Sequence, residues 1–164
     1  MDKVILLDRF KEFCETVTKD LIMPVKMQKG DTEQIYRAAE VHSMRLPDSK
    51  AATKKAPYLL NQIITGKDIQ NPGEDCEASA VMRTICCVYN ENEEEGSLML
   101  LNLLERLRIS LLKTCIIGKQ FEVDLQAGIE YMIYPDDTAP YYAGEMITTW
   151  KIPTVKREVP ILWQ

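Results

Sequence analysis

Apolar residues recur at helical spacing twice along this chain and at alternating spacing several times. Leu6, Phe10, Phe13, Val17 and Leu21 form one stripe, with Asp8, Lys11, Glu12, Glu15 and Lys19 away from it, so an amphipathic helix is expected from about Lys3 to Leu21. Pro24 stops it. The segment from Pro24 to Ile35 is polar and aperiodic, a connection with room for a short strand. Ala39 to Leu46 and Tyr58 to Thr65 read as strands, closed by Pro47 and Gly66, and their adjacency predicts a hairpin. Its long tip is the basic segment carrying Lys50, Lys54 and Lys55.

Asn71-Pro72-Gly73 marks a turn. The run Ala78 to Tyr89 contains only Arg83 as a charge, which predicts a central strand covered on both faces. An acidic loop follows, with Glu91, Glu93, Glu94 and Glu95 ahead of Gly96. A long helix is expected from about Ser97, as N-cap, to Cys115, with Gly118 just past its end. Leu100, Leu103, Leu104, Leu107 and Leu111 make its apolar face, predicted to pack on Ala80 to Val88, and Ile109 is the one apolar residue opposite. Phe121 to Gln126, Ile129 to Tyr134 and Gly144 to Ile152 read as three strands, the last with Met146, Thr148 and Trp150 on one face. Pro153 and Pro160 keep the tail out of the sheet interior.

The elements predict an α+β fold: an antiparallel-rich or mixed β-sheet with the N-terminal helix and the long helix packed on it. One domain is expected over residues 1–164. Within it, 1–40 is the first helix and connection, 40–158 the main α+β region and 159–164 a tail. A composition of 46% hydrophobic and 27% charged residues is that of a globular chain. A net charge of -5 offers no general nucleic-acid footprint, so no nucleic-acid partner is expected. No run approaches a membrane span or a signal-peptide core, and five cysteines in no framework spacing fit a reducing compartment. The cytoplasm is the expected location.

The chemistry-bearing residues are few. His42 is the only histidine, and Cys86-Cys87 points to opposite faces of a strand, so no metal and no cofactor are expected. Glu122 with Asp124, and Asp136 with Asp137, are carboxylate pairs at solvated positions, and no catalytic residue is assigned. The Lys50, Lys54 and Lys55 loop and the Glu91 to Glu95 loop have opposite signs, which suits contacts between subunits. Tyr141 and Tyr142 join them as interface candidates. From a different class, Tyr131, Tyr134, Tyr141 and Tyr142 could line an aromatic pocket in a small-molecule binding module or enzyme.

The run Val81 to Asn90, the acidic loop and Leu100 to Arg108 together resemble tail-assembly proteins of long-tailed phages and prophages. Tyr134 to Gly144, Trp150 to Pro153, Met44 to Asp48 and Ala56 to Tyr58 extend the likeness over roughly residues 40 to 158. The closest resemblance is to the tail terminator, or tail-completion, family, small α+β subunits that form a hexameric ring on the tail tube. It implies a homo-oligomeric ring that caps the tube and presents the surface joining the head. The partners it implies are the tail-tube protein and a head-tail connector, and the location is the host cytoplasm during assembly and then the virion. It carries no catalytic residues. Neck or head-completion proteins and tail-tube subunits are the alternatives in the same class.

Overall fold

The computed structural model describes residues 2–47, 55–135, 137–156 and 158. Two helices lie on one face of a seven-stranded sheet, the α+β arrangement expected. Helix α1 spans Asp2–Thr18 and helix α2 spans Glu93–Thr114. The strands are β1 (Met23–Pro24), β2 (Tyr36–Arg37), β3 (Glu40–Ser43), β4 (Tyr58–Ile69), β5 (Glu77–Tyr89), β6 (Ile116–Ile117), β7 (Phe121–Val123), β8 (Ile129–Ile133) and β9 (Tyr141–Lys151). β1 and β2 form a two-stranded sheet of their own among the described residues. The large sheet runs β3-β4-β5-β9-β7-β6, and β8 also pairs with β9.

The core lies between the helices and the sheet. Along β5 the residues Ala80, Met82, Thr84, Cys86 and Val88 are buried, and β9 presents Met146, Thr148 and Trp150 beside them. Leu100, Leu103, Leu104, Leu107 and Leu111 of α2 close over these strands, and Ile109 is exposed, as the periodicity predicts. α1 joins the same core through Phe10, whose ring meets Trp150 edge-on at 5.6 Å. Its buried face is turned by about one position from the expected stripe. Cys14 and Thr18 are buried, whereas Phe13 and Val17 sit at the margin. The small Cys14 lets α1 approach the buried Asn61 of β4, whose Nδ2 lies 3.9 Å from Sγ.

Several boundaries differ from expectation, each for a local reason. β3 and β4 pair in parallel, not as a hairpin, with Glu40 beside Tyr58 and Ser43 beside Asn61. A parallel pair needs a crossover of a dozen or so residues, and the stretch from 44 to 57 supplies the length. β4 runs through Gly66 to Ile69, with a register shift between Ile63 and Thr65 that leaves Ile64 as an extra residue. β5 is central, but only Cys86 to Tyr89 are buried on both faces, because among the described residues both helices lie on one side of the sheet and the small cluster of Ala56, Tyr58 and Leu60 covers only this end of the other. β7 ends at Val123, since the Asp124 carboxylate turns back to accept the N–H groups of Gln126 and Ala127 at 3.1 and 3.3 Å.

Candidate interaction surfaces

The acidic segment is the first turn of α2, not a loop before it. Asn92 is the N-cap, its side chain accepting the N–H of Glu95 at 3.1 Å. Ser97, expected as the cap, sits inside the helix and donates its hydroxyl to Glu93 O at 2.9 Å. Glu93, Glu94 and Glu95 therefore stand at the positive end of the helix dipole, all exposed, with Glu91 just ahead of them. The C-terminus also differs: Cys115, at φ 60°, caps the helix through its N–H to Leu111 O, while Gly118 belongs to the turn between β6 and β7.

Tyr89 and Tyr141 meet at the same end of the sheet as these carboxylates, and Lys55 lies toward that end. Tyr89 pairs with Tyr141 across β5 and β9, ring centroids 5.5 Å apart, and its hydroxyl bonds the Glu91 carboxylate. Tyr58 lies opposite Cys87, which brings the start of β4, and the half-buried Lys55 ahead of it, to that end. The Lys55 carbonyl accepts from Arg37 at 2.7 Å. Lys50 and Lys54 lie outside the described residues. Tyr142 turns to the helix side, its ring against Gly96. Its hydroxyl has no hydrogen-bond partner among the described residues, and burial with Glu93, Asp137 and Glu91 nearby pushes its pKa up.

The four tyrosines of the pocket alternative are divided by the sheet. Tyr131 and Tyr142 fall on the helix side, paired with Met146 and Val88, while Tyr134 and Tyr141 fall on the other. They do not converge on one cavity. Among the described residues no group of three or more His, Cys, Asp or Glu side chains is placed to hold a metal ion. His42 lies on β3 with Nε2 3.4 Å from Glu40.

Two features lay beyond the sequence reading. One is a polar row across the sheet face opposite the helices. Arg83 donates to Gln62 Oε1 through Nε and Nη2 at 3.1 and 2.7 Å and lies 4.0 Å from Glu145, which accepts the Tyr134 hydroxyl at 3.1 Å. Burial and then Glu145 push the Tyr134 pKa up to about 12. The signal was Arg83, the lone charge in an apolar strand. The other is β8, whose Tyr131, Met132 and Ile133 are all exposed, at 45%, 51% and 43%. Its signal was a run of large apolar residues that does not alternate.

No known protein family matches this chain, and no curated protein matches it either. Among the described residues no helix is long and apolar enough to cross a membrane.

Proposed function

We propose that this chain is a structural subunit of phage or prophage tail assembly, a tail terminator that forms a ring capping the tail tube and offers the head-joining surface. The observation carrying the reading is that the family-like segments fall on elements that pack together. Val81 to Asn90 covers most of β5, Leu100 to Arg108 lies within α2 and includes Leu100, Leu103, Leu104 and Leu107 of its buried face, Tyr134 to Gly144 leads into β9, and Trp150 to Pro153 begins at its far end. The α+β architecture agrees with what the resemblance implies. The gathering of Glu91 to Glu95, Tyr89, Tyr141 and the basic segment's Lys55 at one end of the sheet suits a contact end for neighbouring subunits or a tail partner.

Electron microscopy of phage lacking this gene tests the reading. Overlong tails detached from heads are the expected result. Tails of regulated length on intact virions would overturn it.

A further inference from the structure

β8 occupies an edge of the sheet and lacks the usual protections of an edge strand. β7 and β8 lie end to end along the same side of β9, and β8 has no second strand neighbour among the described residues. Edge strands are commonly blunted by lysine, proline or a bulge. β4 beyond Ile63 is blunted in this way, with the extra residue Ile64 and then Lys67. β8, Ile-Glu-Tyr-Met-Ile, pairs without a register shift and carries Glu130 as its one charge. Gly144 lets it lie close to β9, because a Cβ there would come within 2.8 Å of Met132 O.

The direction of its free backbone groups follows from the ladder. Tyr134 donates its N–H to Ala143 O at 3.0 Å, and antiparallel ladders alternate, so Met132 and Glu130 also turn their N–H and C=O toward β9. The N–H and C=O of Ile129, Tyr131 and Ile133 therefore point outward. The geometry points to a second copy of this chain as the occupant, added antiparallel through β8 about a two-fold axis at Tyr131.

Self-complementarity selects that occupant and that register. Centred on Tyr131, the pairing sets Ile129 opposite Ile133 of the second copy and Glu130 opposite Met132, and every outward N–H and C=O finds a mate. Shifting the centre to Glu130 puts two carboxylates at the closest cross-strand position, which is unfavourable. Shifting it to Met132 sets Ile129 against Pro135, which has no N–H to give. The described residues after β9 lie on the opposite side of the sheet. Val155 lies beside Asp68 and accepts from Gln70 at 2.8 Å, on the β4 side of the sheet. The inference uses only the β8 edge and stands apart from the tail reading.

Sedimentation velocity of the full chain over a concentration series tests it, with circular dichroism to show that each variant is folded. The wild type should sediment as a concentration-dependent dimer. Met132→Glu, at an exposed position, sets a carboxylate opposite Glu130 in both halves of the interface and should shift the protein to monomer. Adding Glu130→Lys turns both contacts into opposite charges and should restore the dimer. A wild type that stays monomeric, an oligomer that Met132→Glu leaves intact, or a double variant that stays monomeric would each overturn the proposal. The first of these would leave the edge to a partner of different sequence.

Discussion

The ring of Tyr142, on β9, packs against Gly96, inside α2, so closely that the helix has no room for a side chain there. In an open helix, alanine in place of glycine gains about 1 kcal/mol. Here Gly96→Ala should instead destabilise the protein by about 1–3 kcal/mol through overpacking. In a Tyr142→Val background the same change should turn neutral or stabilising. Denaturant melts of the two single variants and the double measure the coupling, and additive effects would mean the contact does not constrain the helix.

The two sides of α2 make a second prediction. Leu107 is fully buried against the sheet while Ile109 is 41% exposed. Leu107→Ala should cost about 2–5 kcal/mol and Ile109→Ala no more than about 0.5 kcal/mol. Equal losses in urea melts would mean the apolar face is assigned wrongly.

The capping assignment gives a third. Asn92→Ala removes the acceptor for the Glu95 N–H and should cost about 1 kcal/mol, whereas Ser97→Ala should cost less because Ser97 lies inside the helix. Changing Glu93, Glu94 and Glu95 to lysine should also lower the melting point, since each carboxylate at the helix N-terminus contributes roughly 0.3–1 kcal/mol. A charge-reversal test of subunit contacts must therefore compare assembly among variants of matched stability. On the proposed tail-terminator reading, reversing Lys55, together with Lys50 and Lys54, should disturb ring formation without loss of the helix-dipole contribution.

Thiol chemistry gives a fourth. All five cysteines are free, and Cys14, Cys86 and Cys87 are buried while Cys76 and Cys115 are partly exposed. Alkylation of the native protein should modify Cys76 and Cys115 first and reach five adducts only on unfolding. Burial pushes the pKa of Cys14 up from 9.0 to about 12 and that of Cys87 to about 11. Their neutral forms are favoured by folding, so this stability is complete below pH 9 and is lost as pH rises from there through the folded values. Urea midpoints should hold steady from neutral pH to about pH 9 and then fall, and fall less in a Cys14→Ala variant.

What could be read from the sequence was what depends on local period. The leucines of α2 and the alternation of Met146, Thr148 and Trp150 announce their buried faces directly. The misreadings are contacts made far along the chain. Gly96 looked like loop because nothing nearby in sequence reveals that Tyr142 occupies its flank. The β3–β4 pair looked like a hairpin because short strands of either orientation share the same composition, and only the length of the connection separates them. The meeting of Tyr89 with Tyr141, and of Arg83 with Gln62 and Glu145, depends on strand register across the sheet.

The row Gln62, Arg83, Glu145 and Tyr134 has a bearing on which molecules can rest on the sheet face opposite the helices. Flanked by Val81, Ile85 and Ile147, it looks from a distance like a patch open to any greasy surface. A visitor with an unbroken apolar front would strip water from Arg83 and Glu145 and offer nothing in return, a loss of several kcal/mol. Only a surface bearing its own polar groups at matching points escapes that loss. The row thus acts as a sieve, turning away indiscriminate stickiness while leaving the face open to a shaped and polar mate.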